Sequence, residues 1–157
     1  QEVVDFLNAI FGFCIEIINN HNGIINKFLG DGFMAVFGAP LSDGRDVRNA
    51  VNAANEIIER LSAEITAGNL PEVTVGIGLH SGDAVTGNVG SIARKEYTVI
   101  GDVVNLASRI EQLNKQFGSR FLMSEDVMRF CEDLSPQFVS ETLVKGREQP
   151  VKIYRLA

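Results

Sequence analysis

The chain has little of what several classes of protein require. Its 157 residues include only two cysteines, and 14 basic residues are outnumbered by 20 acidic ones, for a net charge of -6. Cys14 and Cys131 lie in apolar, helix-like segments, so we predict reduced core residues of a cytoplasmic protein and no disulfide. The acidic balance, without any basic cluster, argues against a nucleic-acid surface.

Long apolar runs and targeting segments are also missing. No stretch reaches membrane-spanning length and the first residues do not form a signal peptide, so we expect no membrane contact by this domain. The domain could still be the cytoplasmic part of a membrane-attached protein. With 45% hydrophobic residues and no repeat or low-complexity run, we expect one globular domain over residues 1–157.

Hydrophobic spacing predicts alternating helices and strands. Residues 3–18 and 47–61 have helical spacing, and residues 24–28 and 33–37 read as a β-hairpin. The further predicted elements are a loop over 40–46, a strand over 73–80 with 84–89 as its partner strand, a strand over 120–123, a helix over 124–130, and strands over 137–144 and 151–156. This order predicts an α+β fold with a mostly antiparallel sheet.

Paired glycines interrupt the strand predicted over residues 73–80. Gly76 and Gly78 remove side chains from one of its faces. Such glycines indicate the close approach of another backbone or of a ligand.

Residues 96–110, EYTVIGDVVNLASRI, change from strand-like to helical spacing at Gly101. Asn105 and Arg109 are four residues apart, so they share a helix face that points away from the apolar stripe. Asp102 occupies the expected N-cap position. An Asn and an Arg on a polar helix face are ordinarily solvated, but at a strand-to-helix turn they can also present groups to a phosphate.

The full stretch resembles the signature of the class III nucleotidyl cyclases, the adenylate and guanylate cyclase catalytic domain. Residues 26–38 (NKFLGDGFMAVFG), 75–83 (VGIGLHSGD) and 144–146 (VKG) resemble the other blocks of that family, in the same order. The resemblance covers nearly all of the chain. It implies a ferredoxin-like βαββαβ core, whose first strand this sequence lacks.

The resemblance also implies a metal site. Asp31 matches one of two aspartates that hold two Mg²⁺ or Mn²⁺ ions, and a carboxylate suits such a hard cation. From spacing alone, an Asp-Gly pair at a hairpin turn needs no functional explanation. The other aspartate belongs to a Phe-x-Asp-Ile-x-Gly-Phe motif that is absent here. We therefore expect an N-terminally truncated domain, inactive or severely impaired as it stands.

Two further positions match residues that recognise the base. Lys27 and Thr98 occupy them, and the Lys/Thr pair resembles that of bacterial adenylate cyclases. A lysine can donate to adenine N1, and a threonine hydroxyl can accept from the exocyclic amine. Guanylate cyclases typically carry Glu and Cys at these positions, so the pair favours ATP.

The remaining matches concern the ribose and the phosphates. Asn105 and Arg109 match the pair that orients the ribose and stabilises the pentavalent phosphorus, a role that suits an always-charged, forked guanidinium. Lys145 matches the lysine that binds the terminal phosphates, and Arg94 is a candidate for an additional phosphate contact.

The matched residues predict an adenylate cyclase that converts ATP to cyclic AMP and pyrophosphate. In the family the site lies between two subunits, which implies a head-to-tail homodimer with a regulatory domain elsewhere in the longer protein. The alternatives are a guanylate cyclase or a non-catalytic nucleotide-sensing or dimerisation module. A diguanylate cyclase is disfavoured because its Gly-Gly-Asp/Glu-Glu-Phe hairpin is absent.

Overall fold

Four α-helices and eight strands are present in the residues that the computed structural model describes. These are residues 2–30, 32–39, 41–82, 85–89, 96–144 and 148–157, with 2–4, 85–89 and 96–100 described by their backbone alone. The helices are α1 (Glu2–Asn20), α2 (Asp46–Thr66), α3 (Asp102–Phe117) and α4 (Glu125–Met128). The strands are β1 (Gly23–Leu29), β2 (Gly32–Phe37), β3 (Ile77–Leu79), β4 (Val85–Val89), β5 (Glu96–Ile100), β6 (Phe121–Ser124), β7 (Gln137–Thr142) and β8 (Val151–Arg155).

The chain divides into an N-terminal unit, Gln1–Thr74, and a C-terminal unit, Val75–Ala157. In the N-terminal unit, α1 packs against α2 and β1, and α2 packs against β2. Strands β1 and β2 form the predicted antiparallel hairpin, with pairing from Gly23–Phe37 to Leu29–Gly32. The helices contribute most of the buried apolar side chains of this unit: Ile10, Phe13, Cys14, Ile17, Ile18, Val51, Ala53, Ala54, Ile57, Ile58 and Leu61.

A carboxylate organises the loop between β2 and α2. Asp43 accepts hydrogen bonds from the backbone N–H of Arg45 at 2.8 Å and from the side-chain amides of Asn49 at 2.9 Å and Asn22 at 3.0 Å. These bonds, that from Arg45 first, favour the charged form and hold the pKa of Asp43 below its ordinary value. The described part of the predicted loop, residues 41–45, is therefore held by hydrogen bonds to its neighbours.

The C-terminal unit contains a four-stranded sheet in the order β3-β6-β8-β7. The β3–β6 pair is parallel, whereas β6–β8 and β7–β8 are antiparallel. Helix α3 packs on β3 and β6 and buries its apolar stripe there. The core beneath this helix consists of Leu106, Ile110, Leu113, Leu122, Val151 and Ile153.

The prediction that β4 is the hairpin partner of β3 is wrong. Strand β4 pairs antiparallel with β5, from Val85–Ile100 to Val89–Glu96, and β3 pairs with β6. Both candidate partners alternate as strands, so their local pattern could not decide between them. Strand β3 and helix α4 are also shorter than the predicted spans of 73–80 and 124–130.

The predicted α+β class is confirmed. From α1 to β3 the order helix, strand, strand, helix, strand follows the expected core order, and four of the five described strand pairs are antiparallel. Cys14 and Cys131 are buried and are not joined in a disulfide, as predicted. Burial raises the pKa of the Cys14 thiol to about 12. Among the described residues, no helix is long and apolar enough to cross a membrane.

We expect Leu106→Ala to lower the free energy of unfolding by about 3 kcal/mol, because a fully buried leucine leaves a cavity when it is truncated. Leu143, which is 73% exposed in the same unit, provides the matched control. Leu143→Ala should change stability by no more than about 0.5 kcal/mol. Urea denaturation of both variants measures the difference, and equal losses would contradict the assigned core.

Candidate active site

Helix α3 presents the polar pair that the sequence singled out. Asn105 and Arg109 are exposed, whereas Leu106 and Ile110 are fully buried on the other side of the helix. The i,i+4 spacing places Asn105 and Arg109 one turn apart on the same face. The core contact of α3 thus leaves both side chains accessible to a ligand.

Gly101 makes the turn from β5 into α3. Its φ of 128° and ψ of -177° lie in a region that is essentially restricted to glycine. Its carbonyl accepts hydrogen bonds from the backbone N–H groups of Val104 at 3.1 Å and Asn105 at 3.4 Å. The predicted role of Gly101 as the residue that permits this turn is confirmed.

The predicted capping role of Asp102 is wrong. Gly101 is the N-cap residue and no side chain caps the helix, because α3 begins at Asp102 itself. The N-cap position, from which a side chain accepts from the free amides of the first turn, is taken by a glycine. The Asp102 carboxylate instead lies at the positive end of the helix dipole, where a negative charge is favoured.

The two predicted base-recognition residues lie in different units. Lys27 is an exposed residue of β1, next to an irregularity in the pairing of β1 with β2, and it pairs with Met34. Thr98 lies on β5, where its backbone pairs with Gly87 of β4. Both positions lie on strands, as predicted.

The other predicted ligand residues lie outside the described residues. These are the metal ligand Asp31 and the phosphate-binding residues Arg94 and Lys145. Within the described ranges, no group of three or more His, Cys, Asp or Glu side chains is arranged to hold a metal ion. The expectation that Mg²⁺ or Mn²⁺ binds therefore rests on the chemistry of the Asp31 side chain, a carboxylate that suits either ion.

A buried polar group that the sequence analysis missed lies at the C-terminal end of α3. Asn114 is 4% exposed, and its side-chain amide donates to the carbonyl of Ile77 on β3 at 3.0 Å. Its side-chain oxygen accepts from the hydroxyl of Ser119 at 2.8 Å. The available signal was the position of Asn114, four residues after Ile110, which places it on the buried stripe.

Of the two predicted glycines, Gly78 packs against a backbone, which is one of the two alternatives that the sequence offered. A Cβ atom on Gly78 would lie 2.7 Å from the Cα of Glu111 and 2.9 Å from the carbonyl oxygen of Ala107. At Gly76 it would lie 3.0 Å from a carboxylate oxygen of Glu111. The partner of Gly78 is therefore the backbone of α3, so the glycine is explained without a bound ligand.

Comparison with known proteins assigns the class to which this fold and site belong. The sequence matches the adenylate and guanylate cyclase catalytic domain family over residues 1–157. The chain therefore belongs to that family, as the motif resemblance implied.

Individual relatives include cyclases of both substrate types. The chain is 37% identical to adenylate cyclase 1 of Rhizobium meliloti over 160 residues, covering 99% of this chain and 24% of that protein. The crystal structure of the adenylyl cyclase CyaB of P. aeruginosa superimposes with a TM-score of 0.79 at 29% identity, covering 97% of this chain and 80% of the chain in that structure. The crystal structure of the guanylyl cyclase Cya2 superimposes with a TM-score of 0.77 at 33% identity. The match covers 98% of this chain and 79% of the chain in that structure.

These likenesses show the cyclase catalytic fold. The chain spans about a quarter of the length of several curated relatives. It corresponds to 26% of one of them and to 24% of the Rhizobium meliloti enzyme. The shared part is the catalytic domain alone.

We expect Gly101→Ala to destabilise the chain by about 2 kcal/mol, since alanine is strained at a φ of 128°. No atom within 4 Å would meet the new methyl group, so the loss would be conformational in origin. Gly12→Ala, in open space on α1, is the control and should be stabilising by up to about 1 kcal/mol. Urea denaturation distinguishes the two, and a Gly101→Ala protein as stable as the native chain would disprove the strained turn.

Proposed function

We propose that this chain is the catalytic domain of an adenylate cyclase that converts ATP to cyclic AMP and pyrophosphate. The observation that carries the proposal is the exposed Asn105–Arg109 face of α3, which follows the glycine turn in a family member. The 37% identity to an adenylate cyclase over 99% of this chain supports the same substrate.

The reaction is an intramolecular displacement at phosphorus. The ribose 3′-oxygen loses its proton and attacks the α-phosphorus, a new P–O bond closes the ring, and the bond to the bridging oxygen breaks to release pyrophosphate. Negative charge develops on the phosphoryl oxygens and on the leaving group. The protein must therefore position the ribose and supply positive charge.

Arg109 has the chemistry to stabilise the transition state. Its planar guanidinium can donate two parallel hydrogen bonds to phosphoryl oxygens and brings positive charge to them. Asn105, one turn earlier on the same face, can donate to and accept from the ribose. Because both residues are on one helix, their separation does not change when substrate binds.

Lys27 and Thr98 are the residues that we propose select adenine. The lysine donates to adenine N1 and the threonine hydroxyl accepts from the exocyclic amine. The second candidate function is a guanylate cyclase, which the 33% identity to the guanylyl cyclase Cya2 favours. Guanine presents a carbonyl where adenine presents an amine, so the two bases need different partners at these positions.

Asp31, Lys145 and Arg94 are the other residues of this chain that we place in the proposed site. Asp31 would hold divalent metal, and Lys145 and Arg94 would neutralise the terminal phosphates. Two bound Mg²⁺ or Mn²⁺ ions would lower the pKa of the 3′-hydroxyl and offset the triphosphate charge. The acidic chain, with a net charge of -6, makes such local cations necessary for binding a polyanion.

We further propose a head-to-tail homodimer in the cytoplasm, with two equivalent sites. In this arrangement Asp31 of one subunit serves the same site as Arg109 of the other. The curated relatives are much longer than this chain, so we place the regulatory domain in segments that accompany the catalytic one.

The proposal is tested by incubating the natural protein that contains these 157 residues with Mn²⁺ and either ATP or GTP. We expect cyclic AMP from ATP, quantified by chromatography, and little cyclic GMP. Arg109→Ala should reduce kcat by a factor of about 10²–10³, as loss of a group that stabilises developing charge does. Lys115→Ala, an exposed cation on the same helix, is the matched control and should retain activity within about twofold.

Either alternative function has its own signature in this assay. Cyclic GMP as the main product would assign a guanylate cyclase. If the folded protein forms neither cyclic nucleotide, both cyclase hypotheses are wrong, and the non-catalytic nucleotide-sensing module is the hypothesis that remains.

The homodimer predicts complementation between inactive variants. Mixed Asp31→Ala and Arg109→Ala proteins should recover about a quarter of native activity, because half of the randomly paired dimers contain one intact site of two. Each variant alone, at the same total concentration, is the control. No recovery after verified subunit exchange would exclude the shared site.

A further inference from the structure

Helix α3 touches strand β3 backbone to backbone at one point. A Cβ atom on Gly78 would lie 2.7 Å from the Cα of Glu111 and 2.9 Å from the carbonyl oxygen of Ala107, and closer still to the Glu111 backbone nitrogen. Ordinary contacts of a Cβ atom begin at 3.4 Å. Backbone atoms cannot move aside as a flexible side chain can, so the absence of a side chain at residue 78 sets how closely the helix approaches the sheet.

A second contact, a hydrogen bond near the C-terminal end of α3, also joins this helix to β3. The side-chain amide of Asn114 donates to the carbonyl of Ile77 at 3.0 Å, one residue before Gly78 in β3. Ser119, which is 5% exposed, donates its hydroxyl to the Asn114 side-chain oxygen at 2.8 Å and its backbone N–H to the Asn114 carbonyl at 3.0 Å. Ser119 therefore orients the Asn114 amide so that its N–H₂ group faces β3.

Arg109 lies behind the first of these contacts and about one and a half turns before the second. The residue lies two positions after Ala107 and two before Glu111, and two residues correspond to about 200° around a helix. Arg109 thus emerges from the exposed side, almost directly behind the contact with Gly78. Asn114 is five residues further on, about 7.5 Å along the helix axis.

A helix that moves on this sheet must carry Arg109 with it. A methyl group at residue 78 would require a displacement of about 1 Å, and misplacement of a catalytic group by 1 Å can cost about 10²-fold in rate. Loss of the Asn114–Ile77 bond would instead free the helix to shift or rotate on β3. Both changes act on the position of the guanidinium without removing it.

We propose that Gly78, Asn114 and Ser119 are positioning residues of the cyclase reaction, because together they set the depth and register of α3 and so place Arg109 against the α-phosphate. The inference rests on the proposed function for its catalytic part. Its structural part, the seating of α3 on β3, is independent of that function.

The kinetic test compares Gly78→Ala and Ser119→Ala with the native protein. We expect kcat to fall by about 10²-fold and about tenfold respectively, with the KM for ATP changed by no more than about twofold, since Arg109 acts in the transition state. Gly12→Ala, whose methyl group meets no atom within 4 Å, is the control and should keep native kinetics. Circular dichroism and cooperative urea unfolding check that each variant is folded.

A double-mutant cycle separates positioning from general destabilisation. If Ser119 acts through Arg109, Ser119→Ala should have almost no effect on kcat in an Arg109→Ala background. Additive losses, or a Ser119→Ala protein with native kcat, would overturn the positioning role. The milder Ser119→Ala variant keeps the test decisive if Gly78→Ala fails to fold.

Amide hydrogen exchange provides a readout that does not depend on activity. In Ser119→Ala, exchange of the α3 amides should accelerate relative to those of β8, which is held in the same sheet by β6 and β7. If the α3 amides of this variant were as protected from exchange as in the native protein, Ser119 would not hold α3 on β3, even in an active cyclase. If the native protein makes no cyclic nucleotide, the proposed function and the catalytic part of this inference fail together, whereas accelerated exchange would still establish the seating contact.

Discussion

In the C-terminal unit, the distance between helix α3 and the sheet is set by the close contact of the α3 backbone with Gly78 on β3. Strands β3 and β6 are parallel neighbours, so the chain between them has to cross over one face of the sheet, and α3 is the helix that lies there. The apolar stripe of α3 provides the attraction, but apolar side chains alone leave the separation adjustable. The missing side chain at residue 78 brings helix and strand together, and the Asn114–Ile77 hydrogen bond determines their register.

This contact separates the structural face of α3 from its candidate functional face. Leu106 and Ile110 are completely buried, whereas Asn105 and Arg109 remain exposed one turn apart. Gly101 joins the helix to β5 with a backbone conformation that other residues rarely adopt. A helix packed on a sheet is a suitable support for the groups that we propose to act at the α-phosphorus, because their reaction requires exact placement.

Some parts of this structure follow from short stretches of sequence. The β1–β2 hairpin was predictable because two short apolar runs flank a turn rich in glycine, and α3 because its apolar residues recur with helical period. The partner of β4 was not predictable, since residues 77–79 and 96–100 both present strands that could accept it. The N-cap was predicted at Asp102, one residue too late. The helix begins at Asp102 because Gly101 makes the turn and is itself the N-cap residue.

The sequence by itself determined the family, through four motifs in order, and the shared face of Asn105 and Arg109, because both depend on residue order and local spacing. Only the tertiary structure decided which strand β4 joins, how closely α3 approaches β3, and that Asn114 is bonded to Ile77 and Ser119. The close approach of α3 to β3 and the Asn114–Ile77 bond join residues that are distant in the chain, whereas β4 pairs with the strand that follows it. These features arise from competition among packing alternatives that a local pattern does not record, and so they appear only when the whole unit is assembled.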